Sequence, residues 1–324
     1  MVILDLVERM GALPVGATAE VPLGAGEAEL VERWCARTGN ELVEIGRGVA
    51  VVRRGRPPDP VADLPADRRP GARLWLYTNF DCNLACDYCC SRSSPRTARR
   101  ALGLDRVRRI MAEAEGVTEV FLTGGEPFLL PDLDEIVRAC TDRFHTTLLT
   151  NGMLFRGHRL NMLRAMPRDR LALQISLDSP TPDRHDRHRG KGSWDRAMAG
   201  IRTALDEGFR VRVAATIAPG EDTDAEAFHA CLDGLGIAVQ DRVVRPVARR
   251  GSAEEGVALT VETLVPEVTV TAEGVYWHPV GADHLDQLVT REIFPLSAAI
   301  EEVRRRFAEY RRGAMEAAAS FPCA

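Results

Sequence analysis

The chain has 324 residues, 45% hydrophobic and 27% charged, with a formal net charge of −5. That composition supports a globular protein with a substantial core, and its acidic balance excludes the basic surface that nucleic acid or an anionic membrane requires. An N-terminus bearing Asp5 and Glu8, and no apolar run near the ~18 residues of a membrane span, argue for a cytoplasmic protein without secretion signal or anchor.

In that compartment the eight cysteines read as metal ligands, reactive thiols or buried apolar side chains in preference to disulfides. Lys191 is the only lysine, so Schiff-base chemistry has a single candidate.

Residues 1–56 read as a small α+β domain. An amphipathic helix "ILDLVERMGAL" is followed by a strand "TAEVPL", a helix "EAELVERWCARTG" and a hairpin "ELVEIGRGVAVVRRG". The Pro/Asp/Arg-rich stretch 57–72 is a linker, because its prolines continue neither helix nor sheet. Residues 73–250 alternate strands at 73–79, 118–123, 145–150, 171–177, 210–217 and 238–247 with helices near 104–115, 132–143, 157–166, 194–208 and 223–235. Such alternation predicts βα units on a parallel sheet, an α/β fold, and six units fall short of a closed eightfold barrel. Residues 251–324 form an extension, with a hairpin "PEVTVTAEGVYWHPVG" turning at "AEG" and a long helix that Ser297 caps.

"DCNLACDYCC" (81–90) crowds four cysteines into one loop directly after the first strand of that alternation, with Cys82, Cys86 and Cys89 spaced C-x3-C-x2-C. A disulfide is disfavoured by compartment and leaves a thiol over. A structural zinc wants four ligands, commonly in two C-x2-C pairs, and no second pair exists. An iron–sulfur cluster held by three thiolates would leave one iron open to a non-protein ligand. "TGGEP" (123–127) then closes the second strand.

These two motifs, with Tyr88 just before the last cysteine, closely resemble the radical S-adenosylmethionine (radical SAM) superfamily in its MoaA/PqqE/SPASM-type branch, over roughly residues 73–247. The resemblance implies a partial (β/α)6 barrel and a [4Fe–4S] cluster on Cys82, Cys86 and Cys89. Its fourth iron would take the amino and carboxylate groups of S-adenosylmethionine (SAM), and a 5′-deoxyadenosyl radical would abstract hydrogen from a peptide or small metabolite. It further implies that Gly124, Gly125, Glu126 and Pro127 receive the methionine end, Glu126 as partner of its ammonium. Asn151, Ser176 and Asp178 would meet the carboxylate and ribose, and Tyr88 would lie near the adenine. Flavodoxin or ferredoxin would supply electrons. The alternative is a non-catalytic protein with the same cysteines holding a structural zinc or a partner.

Cys82, Gly124, Asn151, Asp178, Pro219 and Arg245 each follow or end a strand, so a parallel sheet would gather them at one rim, where barrel enzymes build their sites. Arg245 is expected to reach a substrate carboxylate. "DRHDRHRGKGSW" (183–194), with His185, His188 and Arg189, is expected to be a solvated or substrate-facing loop. His278 stands where related extensions carry a cysteine, and after residue 247 only Cys323 remains. The extension is therefore expected to be a reduced form of the SPASM/twitch type, lying over the barrel opening without a second all-cysteine cluster. Cys323 is a candidate hydrogen donor, and His278, His284 and Cys323 together a candidate binding set. The N-terminal domain weakly resembles the SirA/TusA-like sulfur-carrier fold. It lacks that family's Cys-Pro pair, and Cys35 falls inside a helix, so docking or capping is expected there instead.

Overall fold

The computed structural model of the chain describes residues 2–24, 26–55, 61–62, 64–220 and 225–320. It divides into two compact units, Met1–Pro65 with Arg305–Ala324, and Ala66–Arg304.

The N-terminal unit runs α1 (Val2–Ala12), β1 (Thr18–Pro22), α2 (Ala28–Thr38), β2 (Glu41–Gly46) and β3 (Val49–Arg53). Val2, Leu6 and Met10 recur every four residues on α1, and with Val31, Trp34 and Cys35 of α2 they bury against Val21, Ala50 and Val52 of the strands. The antiparallel sheet has the order β1-β3-β2, leaving β2 at an edge. Arg47 and Gly48, both at positive φ (53° and 78°), make the two-residue β2–β3 turn. Burial pushes the Cys35 thiol up to about 11, which makes it a core group and a poor sulfur carrier.

The second unit carries the alternation predicted from sequence: β4 (Arg73–Tyr77), α3 (Leu104–Glu113), β5 (Glu119–Thr123), α4 (Leu133–Thr141), β6 (His145–Thr150), α5 (His158–Ala165), β7 (Leu171–Ser176), α6 (Pro182–Arg189), α7 (Ser193–Asp206), β8 (Arg210–Ile217), α8 (Ala225–Gly234) and β9 (Arg242–Pro246). Strands β4 to β9 are parallel neighbours in chain order, so every strand C-terminus reaches the same rim. The apolar runs of β5 to β8 are largely buried, as helix-covered parallel sheets require, whereas the edge strand β9 has no buried residue. The helices follow the i, i+3, i+4 rule: Val107, Ile110 and Met111 on α3, and Leu133, Ile136, Val137 and Cys140 on α4, are all buried.

Two boundaries differ from the sequence reading. The sixth strand begins only at Arg242, because residues 239–241 form a 3-10 turn in which buried Asp241 accepts the Arg210 guanidinium at 2.7 Å. The run 182–189 is the helix α6, with Pro182 in its first turn, and His185 on it is 1% exposed, so this is no solvated loop.

Beyond β9 come β10 (Val268–Thr271), β11 (Gly274–Tyr276), β12 (Leu288–Thr290) and α9 (Leu296–Ser320). The β10–β11 hairpin turns as predicted and joins the edge of the sheet, while Val257, Leu259 and Val280 of the extension border a cavity at the strand C-termini. β10 pairs parallel to β4, extending the sheet to nine strands in the order β12-β11-β10-β4-β5-β6-β7-β8-β9. The sheet is open, with β12 and β9 at its edges. Ser297 is not the cap of the last helix. Leu296 already belongs to α9, and its N–H donates to the Glu113 carboxylate at 2.8 Å, which with Arg109 holds that carboxyl below the usual range. No helix of the described residues is long and apolar enough to cross a membrane.

Candidate functional site

Past Tyr77 the chain leaves the sheet and runs without regular structure to Gly103, so its shape must come from hydrogen bonds outside helix and ladder. Thr78 N donates to Thr123 O at 2.8 Å, and Leu102 N returns to Thr78 O at 3.0 Å. Within the loop, Cys82 N reaches Ser94 O at 3.2 Å and Cys89 N reaches Cys86 O at 3.2 Å. Two amides are spent on sulfur: Leu84 N on Cys82 Sγ (3.4 Å) and Ser93 N on Cys89 Sγ (3.3 Å). The cysteines of the loop are all free. Burial pushes Cys82 up to about 12 and Cys86 up to about 11, so bare thiolates are unfavourable there until a cation compensates them. Among the described residues no three His, Cys, Asp or Glu side chains converge as the ligands of one ion must.

The second motif is stitched to the first. Gly125 N donates to Asn79 O and Glu126 N to Asp81 O, both at 3.0 Å, while Asn79 Nδ2 donates to Glu126 O at 3.1 Å. A Cβ on Gly125 would lie 2.2 Å from Asp81 O, so only glycine lets the two strand ends approach this closely. Pro127 follows as the first residue of a buried 3-10 turn. Glu126 itself is fully buried, and its carboxylate accepts from Phe128 N (3.0 Å), Thr150 Oγ1 (2.8 Å) and Asn151 N (2.8 Å). Three donors of its own chain occupy this carboxylate, which ties the ends of β5 and β6 together. Asn151, held by that strut, places Nδ2 at 2.8 Å from Asn83 Oδ1 and 4.0 Å from Cys82 Sγ.

Asp178 is likewise bonded within the chain. Its carboxylate takes Arg189 Nε at 2.6 Å and Nη2 at 3.2 Å, the Tyr88 hydroxyl, and Thr216 N at 3.0 Å. All four lone-pair directions are filled from within the chain. Burial alone would raise this carboxyl, but the Arg189 charge and these donors hold it below its ordinary value. The pair pins Tyr88, and with it the cysteine loop, to α6. Ser176 stands on the cavity wall, as does the Tyr88 ring.

His185 Nδ1 accepts from Asp178 N at 3.1 Å, and His278 Nδ1 accepts from Val280 N at 3.1 Å, so both rings are neutral as folded. Burial lowers each to about 4. An unfolded chain binds these protons near pH ~6.5, so stability present above that pH should be lost as it falls toward about 4. At pH 5 the expected loss is about 2 kcal/mol per histidine relative to pH 7.5. Urea unfolding at the two pH values reads it, and His185→Gln with His278→Gln should remove most of the difference.

These walls enclose a cavity of about 350 Å³ at the strand C-termini. Cys82, Cys86 and Cys89 border it on one side, with Gly124, Gly125 and Asn151, and Arg245 borders it from β9. Pro219 and Asp178 are not in the lining. Cys90 also faces the cavity, its thiol against the Tyr77 hydroxyl, which donates to Pro279 O at 2.8 Å. His284 lies 3.5 Å from Asp283, and Cys323 lies outside the described residues.

Residues 76–231 match the model of the Radical SAM superfamily. The chain carries a radical SAM domain. The thiol loop, the Gly-Gly-Glu-Pro segment, Asn151 and Asp178 all fall within that match. The antilisterial bacteriocin subtilosin biosynthesis protein AlbA of Bacillus subtilis (strain 168) is 35% identical over 153 residues, 44% of this chain and 33% of that protein. PqqA peptide cyclase of Ruegeria pomeroyi is 38% identical over 122 residues, 36% of this chain and 32% of that one. The chain thus spans about a third of the length of these curated relatives. Native anSMEcpe with bound AdoMet and Cp18Cys peptide has a similar fold, with a TM-score of 0.56 at 13% identity over 72% of this chain and 81% of that chain. The family match leaves residues 1–65 uncovered, so the sulfur-carrier likeness gains nothing from it.

Sequence reasoning missed three features of the radical SAM domain's site. Arg189 was hidden in a charge run, although Thr181-Pro182 announces a helix and His185 and Arg189 are then i, i+4 neighbours on one face. Cys90 was passed over beside Cys89. Gly251 touches the cysteine loop from 159 residues beyond Arg92, whose Nε donates to its carbonyl at 3.1 Å, and no local signal marks it.

Proposed function

We propose that this chain is a radical SAM enzyme in which Cys82, Cys86 and Cys89 hold three irons of a [4Fe–4S] cluster and leave the fourth to SAM. The observation that carries this reading is the free thiols of Cys82, Cys86 and Cys89 lining one cavity, two of them receiving backbone N–H groups, while the adjacent Cys90 thiol is engaged by the Tyr77 hydroxyl. With SAM, such a cluster supplies reductive cleavage of the sulfonium S–C5′ bond and a 5′-deoxyadenosyl radical that takes hydrogen from the substrate. The chain's own part is position and exclusion of water. Leu84 and Ser93 direct amide dipoles at sulfur, a device that tunes such centres. Gly125 lets a ligand meet backbone at the rim, and Asn151 is set against Cys82. Flavodoxin or ferredoxin is the electron donor, and the cytoplasm the setting.

The substrate we favour is a peptide. AlbA serves bacteriocin biosynthesis and the second relative cyclises a peptide, as their names state. In the N-terminal unit the edge strand β2 exposes Val43 (42%) and Ile45 (40%), which suits strand addition by an extended peptide.

Anaerobic reconstitution tests the reading. About four irons and four sulfides per chain are expected, with 5′-deoxyadenosine released from SAM under reduction. Cys82→Ala, Cys86→Ala and Cys89→Ala should each abolish both. One tightly held zinc per chain and intact SAM would refute it.

A further inference from the structure

We propose that Arg245 is the anion-binding residue of the cavity, and that the substrate presents to it a carboxylate carried on an apolar stem. The proposal rests on the radical SAM reading of the cavity and names the chemical class that its far end accepts. Two cations line the cavity, Arg189 and Arg245, and no Asp or Glu does. Arg189 is neutralised by its two bonds to Asp178. Among the described residues nothing engages Arg245 in a hydrogen bond or ion pair. The cavity therefore carries one uncompensated guanidinium.

Its surroundings are apolar: Pro246, Ala248, Val257, Leu259 and Val280 share that wall. Arg245 is exposed, so its guanidinium is open to an entering ligand, and a carboxylate matches its planar fork with two parallel hydrogen bonds. One cation balances the single charge of a carboxylate, whereas a phosphate dianion would ask for more donors than this wall offers. Position separates Arg245 from the groups assigned to SAM. It stands on β9 opposite Thr216 of β8, three strands beyond Asn151 at the end of β6. At ~4.8 Å per strand this is roughly 14 Å along the sheet.

The test uses a matched pair of probes, N-acetyl-L-leucine and N-acetyl-L-leucinamide, titrated calorimetrically into the full chain. The acid should bind about tenfold or more tightly than the amide, as a hydrogen-bonded charge predicts. Arg245→Gln should erase that preference and Arg245→Lys keep part of it, with near-ultraviolet dichroism and melting temperature showing each variant folded. Equal affinity for the two probes, no binding of either, or a preference that survives in Arg245→Gln overturns the proposal. A second arm measures SAM binding to the reconstituted chain. If Arg245→Gln weakens SAM by the same factor, the guanidinium serves the SAM carboxylate and the proposal falls. The probe comparison needs neither iron nor SAM, so its failure is distinct from a failure to assemble the cluster.

Discussion

Asp178→Asn should destabilise the chain by about 3–5 kcal/mol, because it leaves the Arg189 guanidinium buried without its counter-charge. The side chains are 5% and 10% exposed, and the pair is held by contacts of 2.6 and 3.2 Å, so water cannot take over the lost partner. The loss extends beyond the pair. The Tyr88 hydroxyl bonds the same carboxylate, and Tyr88 sits between Cys86 and Cys89. The cysteine loop should therefore loosen, and anaerobically loaded iron should fall with stability. Urea unfolding of Asp178→Asn, Arg189→Met and the double variant separates the contributions. The double variant should be less destabilised than the sum of the singles by more than about 1 kcal/mol, as expected for groups that share one buried interaction. Strict additivity would show that the carboxylate and guanidinium do not depend on each other.

Gly251→Ala should have the next largest effect, about 2–5 kcal/mol, from left-handed backbone strain and overpacking together. Gly251 has φ +64°, and a Cβ there would meet Cys89 O at 2.2 Å and Cys90 C at 2.5 Å. Its neighbour Ser252 donates N–H to Cys89 O at 2.9 Å, so the segment after β9 clasps the third cysteine by its backbone. A methyl group must push that clasp open, and iron per reconstituted chain should drop severalfold. Gly208→Ala is the control. It stands at φ +78° with nothing within 4 Å of its added Cβ, so it carries only the backbone strain. If Gly251→Ala behaves no worse than Gly208→Ala, in stability or iron content, the clasp does not shape the loop.

Periodicity was enough to read most of the radical SAM unit. The strands at 145–150 and 210–217 agree with the sequence pattern residue for residue, because both are apolar, β-branched runs between clear breaks. The Cys82, Cys86, Cys89 and Gly124-Gly125 segments were legible for another reason. Each is local in the chain, and its spacing states its geometry. Arg189 was misread because a charge run looks solvated until its partner is known, and Asp178 lies eleven residues away across a turn. The internal partners of Glu126 and Asp178 were not legible, because a carboxylate at a strand end is equally apt for a cofactor or for orphan backbone N–H groups.

Residue order alone determined the α/β alternation, the loop that crowds the thiols after β4, and the glycines that follow β5, since these follow from side-chain size, branching and spacing within short windows. Tertiary structure alone decided which polar groups are spent internally. It placed β10 beside β4, set Gly251 against Cys89, bonded Glu126 and Asp178 to donors of neighbouring strands and helices, and left Arg245 as the uncompensated charge on the cavity wall. The physical reason is that a buried ion's role is set by what fills its coordination and hydrogen-bonding directions, and those partners arrive from strands and loops distant in the chain.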